Sequence, residues 1–470
     1  MTQDLTRGNP AKVILLYSLP IILGNVFQQV YNLVDTVIVG RYLGFQALAG
    51  VGITGGLNFL VLGFAFGITG GLGIRIAQFF GSKDYERMRK SVGTSLIICL
   101  GLSALLTLLA LALLPWFLRL ISTPESIYTY AHDYIFVVFA GILATVAYNM
   151  VSCILRALGD SKTPLYFLIF SSVLNVGLDM LCIVVFHWGV TGAAVATVAS
   201  QLISAVLCFV YAFRRYPEIR LKLSDFRTNW SFIWKHLCIG LPMALQFSIT
   251  AFGIVILQSA LCGFQDTYIA GFSAASRVQS LGSTVGVSFG VAMANYAGQN
   301  YGAGEIGRVR SGVNWTILIA FGVCAVASTI MSVFADGLTS MFMDKSTTIE
   351  SAEHIAEVYY ASKQYLYMSA IFFPFLYILF VYRNALQGIG KTFWPLMAGV
   401  LELIIRVVAS AILPKVMGYP GIALIDVLAW VGACTVLAIS YYLQMPKQVA
   451  MSNSQFTPDS DNNRDFRDYN

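Results

Sequence analysis

Residues 96–114 read LIICLGLSALLTLLALALL and contain no charged side chain. A helix needs about 20 predominantly apolar residues to cross the hydrocarbon core of a bilayer, and this run has that length. Its apolar residues are continuous and do not alternate with polar ones, which favours a helix over a barrel strand. The stretch therefore predicts a transmembrane helix, within a span that we place at about residues 91–121.

The rest of the chain has the same character. Of its 470 residues, 57% are hydrophobic and 11% are charged, whereas about 25% of the residues in a soluble domain are charged. We therefore expect an all-α integral membrane protein, which argues against a receptor with a large ectodomain, an anchored soluble enzyme or a nucleic-acid binder. Apolar runs predict twelve spans, near residues 12–40, 46–80, 91–121, 128–157, 164–187, 190–214, 232–260, 268–299, 309–340, 355–388, 393–416 and 420–444.

The distribution of Lys and Arg predicts the orientation, because positive residues collect in cytoplasmic loops. With twelve spans, 22 of the 29 basic residues fall on the side of the two termini and five on the other side. We therefore expect a multi-pass membrane protein with both termini in the cytoplasm. Residues 447–470, rich in Asp, Asn and Ser, are predicted to form a disordered cytoplasmic tail.

An internal repeat divides the chain into two parts. Each part holds six predicted spans, so both copies insert in the same orientation about a pseudo-two-fold axis along the membrane normal. We predict two parallel six-helix lobes, residues 1–214 and 232–446, joined by a cytoplasmic linker at 215–231. The matching pairs are Gln78-x-x-Gly81 with Gln299-x-x-Gly302, Ala49-Gly50 with Ala270-Gly271, Leu155-xxx-Gly159-xxxx-Pro164 with Leu386-xxx-Gly390-xxxx-Pro395, and Gly192 with Gly421.

Motifs for metal, nucleotide or catalytic chemistry are missing from the sequence. The eight cysteines lie in apolar runs without a Cys-x-x-Cys pair, and the four histidines do not cluster. The glycine-rich residues 298–304 lack the Gly-Lys-Ser/Thr of a phosphate loop and predict a tight turn. Neither His-Glu-x-x-His nor a paired Asp motif occurs, so we expect neither an enzyme nor a bound cofactor.

Acidic residues within spans are costly and therefore point to function. In the first span Asp35 ends a polar stripe of Asn25, Gln28 and Asn32, whose spacings of three and four residues place all of them on one helix face. Such a face is expected to look away from lipid. It either contributes to a binding site or joins helices through hydrogen bonds.

The fifth and sixth spans carry similar stripes. Asn175 and Asp179 lie four residues apart in the fifth, and Thr197 and Gln201 four apart in the sixth. If these faces meet that of Asp35, two carboxylates in one dry pocket would hold a proton or a small cation between them. We therefore predict a coupling site for H⁺ or Na⁺ at Asp35 and Asp179, with Asn175 and Thr197 beside them. Interhelical bonding alone is the other interpretation.

A second polar cluster is predicted in the second repeat. Glu402 and Arg406 lie four residues apart in the eleventh span, and Asp426 lies in the twelfth. These residues form either a structural ion network or a second ion or substrate contact. Candidates for lining a substrate cavity are Gln28, Asn32, Gln246 and Arg277, although Arg277 is equally able to snorkel at the membrane edge.

Several of these motifs together resemble the multidrug and toxic compound extrusion (MATE) transporters, over about residues 10 to 445. They are Asn32-Leu33-Val34-Asp35, Asn175-Val176-Gly177-Leu178-Asp179, Thr191-Gly192-Ala193-Ala194-Val195-Ala196-Thr197 and Gly298-Gln299-Asn300-x-Gly302-Ala303-Gly304. The resemblance implies twelve helices in two lobes and export of amphipathic, often cationic drugs against inward flow of Na⁺ or H⁺. It also implies a cation site at Asp35, Asn175, Asp179 and Thr197.

One branch of that family places key acids in the seventh and tenth helices. In this chain the seventh span carries Gln246 and Gln258 in place of such an acid. The chain is more similar to the DNA-damage-inducible and staphylococcal-type exporters. We expect a monomeric antiporter working by alternating access. A flippase for lipid-linked sugars is the nearest alternative, and a passive channel is less compatible with the two-lobe repeat.

Overall fold

The computed structural model describes residues 4–342 and 352–455, in which the chain is almost entirely helical. A π-helical turn at Met180–Val185 follows α7, and two 3₁₀ turns lie between α8 and α9, at Pro217–Ile219 and Leu223–Phe226. The α-helices are α1 Pro10–Leu43, α2 Phe45–Ile53, α3 Gly55–Gly81, α4 Tyr85–Leu120, α5 Glu125–Ala140, α6 Ile142–Ala157, α7 Lys162–Asp179, α8 Gly189–Arg215, α9 Trp230–Leu261, α10 Asp266–Gly302, α11 Ile306–Val333, α12 Ala335–Phe342, α13 Ala352–Gly388, α14 Phe393–Met417 and α15 Tyr419–Gln455.

Helices cover all twelve of the predicted spans within the described residues, but some spans are broken. The second consists of α2 and α3, the fourth of α5 and α6, and the ninth of α11 and α12. Between α5 and α6 the chain bends by 49° at Gly141. A Cβ on Gly141 would lie 2.3 Å from the side chain of Val198, so α8 packs against this bend more closely than a larger residue allows.

Ten helices of the described residues are long and apolar enough to cross a membrane, or eleven if the bent pair α5 and α6 counts as one span. The long helix α10 is not among them, because Ser, Asn, Gln and Arg277 interrupt its apolar residues. Its polar residues Ser288, Gln299 and Asn300 are buried, since α10 packs between α1, α3 and α13. Burial within the protein explains how so polar a helix is accommodated in a membrane bundle.

The two halves of the chain, residues 4–214 and 232–455, pack against each other mainly through α3, α9, α10 and α1. Helices α3 and α9 approach closely at glycines. A Cβ on Gly67 would lie 2.4 Å from Ala244 Cα, and one on Gly71 would lie 2.4 Å from Gly240 Cα. Small residues let helix backbones come this near, as is common in membrane bundles. We call the end of the bundle at which α1 begins the terminal face.

The C-terminal end differs from the sequence-based expectation. Helix α15 continues to Gln455, so residues 447–455 are helical where we expected disorder to have begun. The remaining tail, 456–470, lies outside the described residues, as does Lys345, one of the five basic residues assigned to the outer side.

Candidate functional site

Two carboxylic acids meet in the first half of the bundle. Asp35 lies on α1 and Asp179 is the last residue of α7, and their carboxyl groups are within hydrogen-bonding reach of each other. Asp179 is fully buried. The helix widens into the π-helical turn directly after Asp179, a distortion that frequently occurs at functional sites.

Asn175 connects the acids to α8. With its amide turned to satisfy its neighbours, Asn175 donates hydrogen bonds to Asp179 Oδ2 (3.0 Å) and to the Tyr31 hydroxyl (3.1 Å), and accepts one from the Thr197 amide (3.1 Å). The Thr197 hydroxyl donates to the Ala193 carbonyl at 3.0 Å. All four residues that we predicted for the coupling site therefore lie together, on α1, α7 and α8.

Positive charge is missing around these acids. Across residues 4–342 and 352–455, every ion pair involves other side chains, and none reaches Asp35 or Asp179. The Oδ1 atoms of both acids are buried without a hydrogen-bond partner. Two adjacent anions in a low-dielectric site repel strongly, so the arrangement favours one proton or one monovalent cation between them.

The remainder of the α1 stripe separates from the acid pair. Asn25 donates to Ser288 of α10 at 2.9 Å and so joins the two halves. Asn32 is exposed and Gln28 is half-buried, whereas Gln201 of α8 accepts a hydrogen bond from Thr145 at 2.5 Å. In this stripe Asn25 joins helices through a hydrogen bond, which is one of the two interpretations of the stripe given above. Gln28 and Asn32 retain accessible polar groups.

The second half contains a different polar cluster, which is neutralised internally. Arg406 contacts Asp426 at 3.0 Å and Glu402 at 3.6 Å. Arg383 of α13 pairs with Glu402, and the Tyr365 hydroxyl donates to Asp426 at 3.1 Å. Two guanidinium groups thus balance two carboxylates at a buried position where α13, α14 and α15 meet, as expected for an ion network that holds helices together.

Two further candidates for the substrate cavity lie apart from each other. Gln246 is buried, donates to the Pro395 carbonyl at 3.1 Å and accepts from Gln387 at 2.9 Å. Both ends of its amide are therefore used within the second half. Arg277 is exposed on α10.

At the terminal face, the glutamine of each repeated Gln-x-x-Gly motif forms a hydrogen bond with the other half. Gln78 at the end of α3 donates to the Gly388 carbonyl of α13 at 2.9 Å, and Gln299 at the end of α10 donates to the Ala157 carbonyl of α6 at 2.8 Å. The repeat offset of 231 residues relates Ala157 to Gly388, so these two bonds are equivalent. Each half therefore donates one glutamine bond to the other.

The glycines of the same motifs make the tightest backbone contact between the halves. A Cβ on Gly81 would lie 1.9 Å from the Gln299 carbonyl oxygen, and one on Gly302 would lie 1.9 Å from the Gln78 carbonyl oxygen. Glycine is needed at both positions because no side chain fits there. The N-terminal segment adds to this contact between the halves, since the Leu5 amide donates to Gln299 Oε1 at 3.2 Å and Leu5 is fully buried.

Within the described ranges no group of three or more His, Cys, Asp or Glu side chains is arranged to hold a metal ion.

A family model describing MatE matches residues 20–181 and 242–412, which include Asp35, Asn175, Asp179 and most of both repeats. The chain belongs to the MatE family. Matched MatE relatives are named as multidrug resistance or export proteins, and the chain is accordingly a multi-pass membrane transporter of small molecules.

Individual MatE relatives cover most of the chain. The Bacillus subtilis "probable multidrug resistance protein YpnP" is 30% identical over 426 residues, which is 90% of this chain and 92% of that protein. The Staphylococcus aureus "multidrug export protein MepA" is 20% identical over 85% of this chain and 87% of that protein. A solved multidrug resistance MATE transporter in an outward-facing conformation has a TM-score of 0.87 at 24% identity, covering 95% and 98% of the two chains.

Sequence reasoning missed four polar residues of these sites: Tyr31, Tyr134, Arg383 and Tyr365. Tyr31 precedes Asp35 by four residues, so helical spacing already placed it on the same face. Tyr134 of α5 interacts electrostatically with both acids, and no spacing rule links a separate helix to them. Arg383 is buried on α13, a helix separate from those of Glu402 and Asp426.

Proposed function

We propose that this protein is a secondary active antiporter, which exports amphipathic cationic molecules in exchange for H⁺ or Na⁺. The observation that carries the proposal is the contact between Asp35 and Asp179 without a neighbouring cation. An ion taken up from one side of the membrane and released on the other supplies the driving force. Carboxylate, amide and hydroxyl oxygens are suitable ligands for a proton or a hard monovalent cation.

The two halves act as the two lobes of an alternating-access carrier, residues 1–214 and 232–446, with 215–231 as the linker. Support comes from the equivalent bonds of Gln78 and Gln299, which close the bundle at the terminal face. The lobes also contact each other away from this face, through the hydrogen bond of Asn25 to Ser288 and at Gly63, where an added Cβ would lie 3.5 Å from Phe247. We infer that this arrangement is a state closed at the terminal face.

The terminal face is the cytoplasmic face in this proposal. The excess of Lys and Arg on that side supports the assignment, because positive residues are retained in the cytoplasm. Both termini then lie in the cytoplasm of a bacterial cell, with the protein acting as a monomer in the plasma membrane. The site of Asp35 and Asp179 would accept its ion from outside in this state.

Coupling requires that ion and substrate favour different conformations. An ion between Asp35 and Asp179 removes their repulsion and stabilises the packing of α1 against α7. Substrate binding favours the packing in which the acids are separated or charged. Gln28 and Asn32, on the same stripe of α1 as Asp35, are the residues through which a cationic substrate senses that change.

The test is efflux of a fluorescent cationic dye from proteoliposomes, with a Na⁺ gradient or a pH gradient imposed separately. We expect one gradient to drive dye movement in the wild type and none to do so in Asp35→Asn. Asp133→Asn is the matched control, because Asp133 is an acid of the same half with a half-exposed side chain paired to His132; this variant should transport normally.

Wild-type-like transport by Asp35→Asn would overturn the assignment of the site. Absence of driven transport in the wild type under both gradients would instead favour the flippase, which moves a lipid-linked sugar. A channel is distinguished by counterflow, since a channel cannot concentrate one solute by using the gradient of another.

A further inference from the structure

A groove on the outside of the bundle lies between α7 and α8 near the terminal face. Its cavity volume is about 580 Å³, within the range of small-molecule sites. The first turns of α7 form one wall and the last turns of α8 form the other. The groove is separate from the acid pair, because Phe170 precedes Asp179 by nine residues, about 14 Å along the helix.

The walls of the groove are apolar and open to the surroundings. Tyr166 and Phe170 of α7 face Leu207 and Val210 of α8, and all four side chains are exposed. In a membrane protein, such residues at this depth contact acyl chains. A concave apolar surface between two helices can hold one chain more closely than a flat surface can, because more of the chain is enclosed.

The terminal-face end of the groove is positively charged. Arg214 and Arg215 line that end, and neither forms an ion pair with a carboxylate in the part of the chain that the structure describes. Arg220 lies next to them, donating to the Phe213 carbonyl at 3.2 Å and to the Arg214 carbonyl at 3.5 Å. Three guanidinium groups are thus concentrated where the headgroups of a lipid leaflet lie.

Two other arginines of this face are paired with acids. Arg87 pairs with Asp84, and Arg89 pairs with Asp225. The charge at the groove is therefore available for an external anion. Guanidinium groups bind phosphate oxygens through paired hydrogen bonds, and basic pockets between membrane helices are suited to anionic lipid headgroups.

We propose that the groove is a binding site for an anionic phospholipid, with one acyl chain along Phe170, Leu207 and Val210 and the phosphate at Arg214 and Arg215. The combination of an apolar channel and an unpaired basic end matches a lipid better than a soluble anion or a protein helix. A soluble anion would leave the apolar walls unfilled. A partner helix would have to carry an acidic residue at the one position that faces Arg214 and Arg215, whereas an anionic phospholipid has its charge at that end already.

The site also connects to the proposed transport machinery through its helices. Asp179 is the last residue of α7, and Thr197 lies in the first half of α8, away from the groove. A lipid held between them would brace their packing, so the bound protein should resist heat better than the protein in zwitterionic lipid alone. This consequence does not require that the ion-coupling proposal is correct.

Native mass spectrometry of the full chain tests the proposal, with phosphatidylglycerol and phosphatidylcholine supplied at equal concentration. We expect preferential retention of phosphatidylglycerol by the wild type and a roughly tenfold or greater loss of apparent affinity in Arg214→Gln/Arg215→Gln. The control is Arg227→Gln/Lys235→Gln, which removes the same charge from exposed positions of the same face outside the groove. This control should bind like the wild type.

A second variant separates the groove from general surface charge. Val210→Trp fills the apolar channel and keeps both arginines, so it should weaken phosphatidylglycerol retention as well. Equal losses in the two charge variants, or unchanged binding in Val210→Trp, would overturn the proposal in favour of a diffuse electrostatic effect. Displacement of the lipid by inorganic phosphate at equal concentration would also overturn it, as would a dimer that Val210→Trp dissociates. Thermal unfolding of each variant verifies that the fold is retained.

Discussion

In the first half, Asn175 and Thr197 lie beside two carboxyl groups that have no cation near them; in the second half, the repeat places Arg406 and Asp426 at the corresponding positions. Pro164 and Pro395 fix an offset of 231 residues for the first pair, and Gly192 and Gly421 fix 229 for the second. The contact between Arg406 and Asp426 is thus the repeat counterpart of that between Asn175 and Thr197.

The two halves therefore share a helix arrangement but differ in how their buried acids are neutralised. Two guanidinium groups attached to the chain, those of Arg383 and Arg406, neutralise the two acids of the second half permanently. In our proposal, the acids of the first half instead depend on an ion from solution, which is able to arrive and leave. We interpret the first half as the coupling lobe and the second half as a lobe whose polar cluster stabilises its helices.

The largest effect is expected when the first half is given the arrangement of the second. Asn175→Arg would place a permanent cation beside Asp35 and Asp179, so we expect gradient-driven dye transport to be abolished. Asn175→Met is the control for size, since it adds length without charge and should leave part of the driven transport. Equal transport by the two variants would contradict the proposed difference between the halves, provided that thermal unfolding shows both variants to be folded.

A smaller effect on transport, but a large one on stability, is expected from breaking the second cluster. Arg406→Met leaves Asp426 without its cation and Glu402 with Arg383 alone. Removing one partner of a buried ion pair typically costs about 3–5 kcal/mol, which denaturant unfolding in detergent measures. Arg277→Met, which alters an exposed arginine of the same half, should cost less than about 0.5 kcal/mol. Equal stability of the two variants would contradict the structural role of the cluster.

The smallest effect concerns the contact at which the two halves are alike. Gly81→Ala and Gly302→Ala each force a Cβ against a carbonyl oxygen of the other half, so each should reduce transport several-fold by opposing closure. Spin labels at Lys83 and Lys391, in a chain with its native cysteines replaced, should report a broader distance distribution for both. Gly101→Ala, where no atom lies within 4 Å of the added Cβ, should have no effect. Unequal effects of the two glycine variants would show that the contact between the halves is not symmetric.

The predicted spans and the repeat depend on local composition, which explains why the sequence identified them. Twenty apolar residues in a row have few alternatives to a membrane helix, because backbone groups must be satisfied within the lipid. The breaks within spans were not predicted. Gly141 carries no unusual signal in its own segment, and its bend depends on Val198 of α8 packing against it.

The candidate coupling site was predicted from three separate helix faces, since helical spacing places Asp35, Asp179 and Thr197 on polar stripes. Tyr134 and Arg383 were not predicted as part of either cluster. Their membership depends on which helices become neighbours, and α5 and α13 have no sequence feature that states this. The same limit applied to Gln246, a substrate candidate whose amide is bound within the second half.

The sequence by itself determined that this protein is a helical membrane protein with two related halves, because hydropathy, charge bias and repeat spacing are properties of the chain. Only the tertiary structure decided which acids have a counter-charge. The cost of a buried charge depends on the few atoms around it, and these come from helices far apart in sequence. Arg406 lies 20 residues from Asp426, whereas Asp35 is 144 residues from Asp179, and only the packing brings each pair together.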